Sequence, residues 1–382
     1  MRQVDIIGAG ITTFGKHLET SLLRLGSAVA LQALKDACIK PSQIGAGFYG
    51  NGLAPRLFGE FTAGQNVFWE VGINAVPVVN VENACTSSSS AFYLACMGIV
   101  AGMYDTAIVV GAEKMNVPGF GLITSSETQL DCLEGLVTPA SFALRAVRHM
   151  QMFGTTKEQL AMVAVKNRKH ASLNPLSQFK DPLTVEQVLN SPMISDPLTR
   201  LMCCPNADGA AAVVLCASDI SHRFTAHPVK VAASILVSGK YENPRDLVLW
   251  ETDYRACQTA YEKAGLGPQD LDIIECHDAF TIAEILHYEA MQLCSTGEGG
   301  HLVESGATSL GGKIPVNPSG GLLSKGHPVG ATGVAQIIEG VLQLRGQAGA
   351  HQIEGAKVFL AHCMGGDKDA DGKSCTVNIL TN

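Results

Sequence analysis

Short apolar runs alternate with longer amphipathic stretches along most of the chain, and the order in which they come repeats. In the first half, a helical pattern over Ser27–Cys38 is followed by Pro41-Ser42-Gln43-Ile44 and an extended run toward Gly50. Residues 252–280 show the same order: a helical pattern from Thr252 to Ala264, the turn Gly267-Pro268-Gln269-Asp270-Leu271-Asp272, then the strand Ile273-Ile274-Glu275 leading into His277. The following units match as well. Pro77-Val78-Val79-Asn80-Val81 leads to Cys85, a helix over Ser88–Gly102 and the apolar strand Thr106–Gly111. Pro315-Val316-Asn317-Pro318-Ser319 leads to His327, a second helix and the strand Lys357–Ala361. Strands and helices that alternate twice over predict a duplicated α/β fold with two mixed sheets.

Between the halves the pattern changes. Residues 116–195 carry Pro118-Gly119, a polar helix around Lys157–Ala171, and the turn-forming pairs Asn174-Pro175, Asp181-Pro182 and Ser191-Pro192. This stretch reads as an inserted loop domain. The buried-strand run Asp208–Leu215 then returns to the first half. The expected division is residues 1–115 with 196–225 as one half, 116–195 as the insertion, and 226–382 as the other half.

Composition narrows the function classes. Apolar residues make up 46% and charged residues 16%, which predicts extensive burial in the fold or against a partner. A net charge of −8 with no basic stripe argues against nucleic acid as the main partner. No apolar stretch approaches the length of a membrane span, Met1-Arg2-Gln3-Val4-Asp5 reads directly into a strand, and Leu380-Thr381-Asn382 is not a peroxisomal address, so a cytoplasmic protein is expected. Twelve cysteines without C-x-x-C spacing do not describe a disulfide scaffold or a zinc site. Most, such as Cys96, Cys216 and Cys257, sit in apolar runs and read as small buried hydrophobes.

Four distant segments stand apart: Asn83-Ala84-Cys85-Thr86-Ser87, His277-Asp278-Ala279-Phe280, Gly326-His327-Pro328 and Cys363-Met364-Gly365. Each alone has a plain structural reading, as a buried cysteine or a core or surface histidine. Cys85 precedes a predicted helix, where the dipole and free N–H groups favour a thiolate. His327 lies among glycines in Gly326-His327-Pro328-Val329-Gly330-Ala331-Thr332-Gly333, at a turn before a helix.

Together, and in this order, the segments resemble the active site of the thiolase superfamily, in the branch of sterol-carrier-protein-type thiolases. The resemblance spans nearly the whole chain. It implies the thiolase fold, with duplicated mixed-sheet halves in an α-β-α-β-α layering, and an acyl-CoA acyltransferase working through an acyl-cysteine. Cys85 matches the nucleophile, His327 the base that deprotonates it, and His277 with His327 an oxyanion hole. Some members of the branch keep a catalytic cysteine where this chain has Ala279. Cys363, in the C-x-G motif with Gly365, supplies the acid–base thiol instead. Animal sterol-carrier thiolases carry asparagine at that position. The neighbouring His362 is placed to tune the Cys363 thiol, although a structural role is the first expectation for it.

The resemblance further implies CoA and acyl-CoA as substrates, no metal or organic cofactor, and a homodimer or homotetramer. Related proteins work with a small OB-fold, zinc-ribbon accessory protein. For the CoA phosphates the candidates are Lys166, Arg168, Lys169, His170 and Lys180, clustered in the insertion, although a charge run on a helix is often only its solvated face. Alternatives are a ketosynthase-like condensing enzyme, a partner-dependent acyltransferase, and a silent acyl-CoA- or lipid-binding subunit. Three further patterns fail. Gly8-Ala9-Gly10 lacks the third glycine of a dinucleotide fingerprint, Ser324-Lys325-Gly326 reverses P-loop order, and Asp367–Gly372 lacks the last ligand of a calcium loop and reads as a solvated hairpin turn.

Overall fold

The computed structural model describes residues 2–121, 129–240, 246–368 and 371–382. Its strands are β1 (Val4–Ile11), β2 (Ala46–Gly50), β3 (Val78–Val81), β4 (Thr106–Glu113), β5 (Met193–Ser195), β6 (Leu198–Thr199), β7 (Gly209–Ala217), β8 (Val229–Ser238), β9 (Ile273–Glu275), β10 (Val358–Lys368) and β11 (Asp371–Thr381). Its helices are α1 (Leu22–Asp36), α2 (Ala54–Phe58), α3 (Ala63–Glu70), α4 (Ser87–Val100), α5 (Leu130–Leu133), α6 (Thr138–Phe153), α7 (Lys157–Ala171), α8 (Val185–Leu189), α9 (Glu251–Ala264), α10 (Thr281–Ala290), α11 (Gly299–Glu304), α12 (Gly321–Lys325) and α13 (Thr332–Leu344).

The duplication read from the sequence is present. One half pairs in the order β3-β2-β4-β7-β1 and the other in the order β8-β11-β10-β9. In each half one strand of the central hairpin-like pair also runs parallel to its other neighbour: β4 to β2, and β10 to β9. The two predicted sheets meet edge to edge through Asp5↔Lys230 and Ile6↔Val229, giving one continuous nine-stranded sheet. That short contact lies between polar-flanked strand starts and carried no signal in the apolar pattern.

Three apolar cores give the layers. Phe92, Ile99, Ile337 and Val341 of α4 and α13 pack between Val109 and Val213 of one sheet half and Phe359 and Leu380 of the other. Outside the first half, Val29 and Leu34 of α1 and Val67 and Phe68 of α3 cover Val110 and Val214. Outside the second half, Ala256 and Ala260 of α9 and Ile285 and Leu286 of α10 cover Val377 and Ile379, and α6 and α7 of the insertion join this core through Phe142, Leu160 and Val163. Strand β7 is buried along its whole length because helices cover both of its faces, hence its unbroken apolar run.

Local chemistry explains the ends of the elements. Helix α1 begins five residues earlier than its apolar pattern predicts because Ser21 caps it, accepting from the Arg24 N–H. Thr156 and Gln159 form a reciprocal capping box that starts α7. Gly265, at φ +67°, ends α9 in the left-handed conformation. The predicted hairpin turn joins β10 and β11, which pair as far as Lys368↔Asp371, while Asp369 and Ala370 lie outside the described residues. One part of that expectation is corrected: Asp371 is buried and accepts from the Thr252 hydroxyl at 2.6 Å, so it braces α9 rather than facing water.

Candidate active site

Cys85 sits in the tight turn between β3 and α4. The preceding Ala84 has φ +48°, an unfavourable conformation for a residue with a Cβ. The turn is overdetermined: Asn83 donates its side-chain amide to Ser90 Oγ, and its backbone N–H to Ser87 Oγ, each at 2.9 Å. Thr86 Oγ1 donates to the Asn83 carbonyl at 2.7 Å.

All four predicted residues converge. His327, between α12 and α13, places Nε2 3.3 Å from Cys85 Sγ. Cys363 on β10 places its Sγ 3.4 Å from His277 Nδ1 and 3.2 Å from the Cys85 carbonyl oxygen. The two imidazoles stand nearly perpendicular with centroids 5.0 Å apart. The site therefore holds two thiol–imidazole pairs side by side.

Buried carboxylates brace the loops that carry these rings. Asp278, next to His277, accepts from the Leu322 N–H at 2.7 Å and from the Leu323 N–H at 3.3 Å, tying the His277 loop to α12 just ahead of His327. Glu113 accepts from the N–H groups of Gly52 at 2.8 Å and Gly330 at 3.1 Å, and from the Asn51 amide at 2.8 Å, fixing the far side of the His327 loop. Burial pushes Glu113 up to about 7, although these donors pull against it. Thr332 Oγ1 lies 2.8 Å from His327 Nδ1. Sequence reasoning missed these three. An acidic residue directly after the apolar strand Thr106–Ala112, and a second beside His277, were the visible signals.

The electrostatics correct one expectation. Cys85 keeps partial solvent contact, yet the surrounding protein desolvates its thiol and pushes it up to about 12. Backbone N–H groups of Gly366 and of Cys85 itself pull the other way and do not prevail. The helix start therefore does not yield a resting thiolate. Burial lowers His327 to about 4 and holds His277 well below the ordinary histidine range, with His327 adding to the latter effect. Burial, then the nearby Cys85, raises Cys363 well above an ordinary thiol. Both pairs thus rest as neutral thiol and neutral imidazole, poised for proton transfer during reaction.

The structure separates the cationic candidates for CoA. Lys166 is buried, with Nζ 2.7 Å from Glu284 and donating to the Val316 carbonyl at 2.8 Å. Arg168 is buried, donates to Ser324 Oγ at 3.0 Å and stacks over Phe179. His170 is buried between the Asn317 carbonyl and the Leu310 N–H. These three were read as phosphate ligands and instead bolt the insertion to the second half, because α7 turns that face inward. Lys169 and Lys180 are exposed. Gly365 lies where a Cβ would come within 2.5 Å of Ser374 Oγ, so its part is close packing beside Cys85.

Two groups offer metal-type donors among the described residues: Cys85, His277 and His327, and the fully buried Asp253, His362 and Cys375. A cavity of about 570 Å³, lined in part by Cys132, Ser141, Arg145 and Asp367, opens where the insertion meets the outer end of β10.

The thiolase N-terminal domain model matches residues 4–219, and the thiolase C-terminal domain-like model matches residues 238–376. The chain belongs to the thiolase family. It is 40% identical to an acetyl-CoA acetyltransferase of Methanothermobacter thermautotrophicus over 100% of both chains. It is 39% identical to the benzoylsuccinyl-CoA thiolase subunit BbsB of Thauera aromatica, over 96% of this chain and 95% of that one. Human sterol carrier protein 2 is 36% identical over 96% of this chain and 70% of its own length. Among solved structures, the Ltp2-ChsH2(DUF35) aldolase superposes with TM-score 0.84 at 24% identity, covering 99% of this chain and 97% of that one. Human mitochondrial 3-ketoacyl-CoA thiolase in complex with CoA superposes with TM-score 0.77 at 20% identity, covering 100% and 98%. These likenesses establish the thiolase fold. The activity that family membership carries is acyl-CoA acyltransfer.

Proposed function

We propose that this thiolase works by a two-step acyl-cysteine mechanism, cleaving 3-ketoacyl-CoA with free CoA or condensing two acyl-CoA molecules in reverse. The observation that supports it is the pairing of each thiol with its own imidazole, Cys85 with His327 and Cys363 with His277, in one site. In the cleavage direction, His327 Nε2 takes the Cys85 proton as the sulfur attacks the ketone carbon. The bond from that carbon to the α-carbon breaks, leaving an acyl-Cys85 thioester and an enolate. Cys363 returns a proton to the enolate carbon, and the shorter acyl-CoA leaves. CoA then attacks the acyl-Cys85 carbonyl as its thiol proton passes to the Cys363 thiolate, the Cys85–acyl bond breaks, and the Cys85 sulfur takes back the proton held on His327. Imidazole N–H groups of His277 and His327 stabilise the enolate oxygen.

In this reading polarisation comes from N–H donors and needs no metal, so a chelator leaves turnover unchanged. Lys169 and Lys180 are the exposed cations of the insertion left to meet CoA phosphates. The chain acts as a homodimer: β3 closes one edge of the sheet with Val79 40% exposed, and Trp69 (77%) and Met97 (50%) leave apolar surface nearby in sequence. Twelve free cysteines suit a reducing cytoplasm.

The test is CoA-dependent cleavage of a short and a long 3-ketoacyl-CoA by the parent, Cys85→Ala and Cys363→Ala. Activity lost in both variants supports the two-cysteine mechanism, and the better substrate sets chain length. A second reading rests on the aldolase superposition, whose protein is named together with ChsH2(DUF35): an inactive parent that gains activity with an OB-fold, zinc-ribbon protein is a partner-dependent enzyme. Acyl-CoA binding that never acylates Cys85 would leave a silent subunit. Retention of both cysteines argues against C–C cleavage without an acyl-enzyme.

A further inference from the structure

Behind His277 lies a second buried cluster that the acyl-cysteine chemistry does not use. Asp253 starts in the first turn of α9, His287 lies on α10, and His362 immediately precedes Cys363 on β10. Asp253 is 1% exposed and both histidines are fully buried. His287 Nδ1 lies 2.8 Å from Asp253 Oδ2, and His362 Nε2 lies 3.4 Å from the same oxygen. The far side of each ring meets the backbone of one residue. His287 Nε2 is 3.0 Å from the His277 carbonyl oxygen, and His362 Nδ1 accepts from the His277 N–H at 3.4 Å. The two rings are tilted by 57° with centroids 4.3 Å apart, and Trp250 lies against His287 at 4.6 Å, tilted by 53°. Cys375 brings its thiol up from β11.

Proton positions follow from the partners. His287 Nε2 carries a proton to donate to the His277 carbonyl, and Nδ1 faces Asp253 Oδ2. His362 receives an N–H at Nδ1 and therefore holds its own proton on Nε2, toward Asp253. Burial, then the neighbouring His362, holds His287 below the ordinary histidine range, against the pull of the carboxylate 2.8 Å away. Three polar side chains in the core are expensive unless their hydrogen bonds do something an apolar cluster would not. Here both rings spend their outward nitrogens on the peptide groups of His277.

We propose that Asp253, His287 and His362 are positioning residues for His277: one carboxylate aligns two imidazoles that grip the His277 N–H and C=O, setting its ring against Cys363 and the enolate oxygen. The inference rests on the thiolase reading above and deepens it. It assigns the cluster to the enolate half of the reaction, leaving the Cys85–His327 half independent of it. The relevant tolerance is small, since a displacement of about 1 Å at a reacting group costs on the order of 100-fold.

The experiment compares two steps in the same preparations. Acylation of Cys85 by acetyl-CoA is followed by intact mass, and exchange of the acetyl-CoA α-protons is followed in D2O. The variants are Asp253→Asn, which keeps volume, and His362→Leu beside His362→Asn, where the amide oxygen restores an acceptor for the His277 N–H. Thermal unfolding confirms a folded chain. The expected result is acylation within about 2-fold of the parent and exchange slowed roughly 10- to 100-fold, with His362→Asn recovering part of the loss seen in His362→Leu. Should Asp253→Asn fail to fold, the His362 pair carries the same comparison. Exchange unchanged in folded variants, or acylation and exchange falling together, overturns the proposal. A parent that neither acylates nor exchanges removes the thiolase mechanism itself, and is distinguished by its failure before any substitution is made.

Discussion

His327 Nε2 meets Cys85 Sγ at 3.3 Å across 242 residues of chain, and the other side of the ring shows how that contact is aimed. Thr332 Oγ1 donates to the Pro328 carbonyl at 3.0 Å, which leaves its oxygen to accept from His327 Nδ1–H at 2.8 Å. This chain of donors places the proton on Nδ1 and the free lone pair on Nε2, facing the sulfur. Thr332→Val keeps the shape and removes the acceptor. Acylation of Cys85 is expected to slow about 10-fold or more, as for a general base left to adopt the wrong tautomer, with substrate KM little changed. A rate equal to the parent in single-turnover experiments would show that packing alone orients the ring.

Because burial lowers His327 to about 4 from an ordinary 6.5, the base stays unprotonated well into acid. The acid limb of Cys85 acylation is therefore expected below pH 5, whereas an ordinary imidazole would impose it near 6.5. Pre-steady-state acylation between pH 4.5 and 8, about the range an unperturbed histidine titrates within, decides between them. A limb centred near 6.5 would mean that water reaches the ring in solution.

Much of this architecture was legible in the sequence because it depends on local chemistry. The doubled strand–helix order, the glycine-bounded turn before His327 and the apolar β7 run all follow from periodicity and turn residues. Cys85, His277, His327 and Cys363 were found through four motifs, and their convergence needed only the correct topology. What failed was orientation. Lys166, Arg168 and His170 lie on one helix whose polar sequence looks solvated, yet a second layer of carboxylates and carbonyls from the other half of the chain buries them. Local pattern does not show such distant partners. The resting state of Cys85 failed for a related reason, since desolvation by distant segments outweighs the helix-start N–H groups seen from the sequence.

Lys166 tests that correction directly. Its ammonium neutralises Glu284 at 2.7 Å where both are buried. Lys166→Met strands the carboxylate, and stability is expected to fall by about 3–5 kcal/mol, read as a lower urea midpoint. KM for CoA is expected to stay put. In Lys169→Ala and Lys180→Ala the pattern reverses, with stability held and KM raised most at low salt. An intact urea midpoint with a raised CoA KM in Lys166→Met would restore it as a phosphate ligand.

His170 gives a pH-dependent signature. Its Nδ1–H donates to the Asn317 carbonyl and its Nε2 accepts from the Leu310 N–H, an arrangement open only to the neutral ring. Burial, with Lys166 adding to it, lowers the group to about 3 from an ordinary 6.5. The unfolded chain therefore binds a proton below 6.5 that the folded chain refuses until about 3, and stability falls with pH across that window. His170→Gln removes the penalty. The variant is expected to be less stable than the parent at pH 7.5, with the gap closing by about 2 kcal/mol at pH 5. Parallel curves for the two proteins would place the ring in contact with water.

Gly365 is the point where the second cysteine's strand passes the nucleophile's turn. A Cβ there would lie 2.5 Å from Ser374 Oγ, 2.8 Å from the Asn83 carbonyl and 2.9 Å from Thr86 Oγ1, all closer than a carbon can sit. Two of these atoms belong to the turn that holds Cys85, and Ser374 is hydrogen-bonded to Thr86 at 2.7 Å. Relief of the overlap must push β10 away from that turn, and with it the Gly366 N–H that reaches the Cys85 sulfur. Gly365→Ala is expected to cost about 1–3 kcal/mol of stability, in the range of overpacked cores. Acylation is expected to fall more steeply than stability does, since the site loses alignment between two segments that each remain folded. Gly366→Ala provides the contrast: its φ of +63° imposes local backbone strain, while a Cβ there meets only the flexible Lys373 side chain. If both variants lost stability and acylation in the same proportion, the contact at Gly365 would be ordinary packing with no bearing on the Cys85 turn.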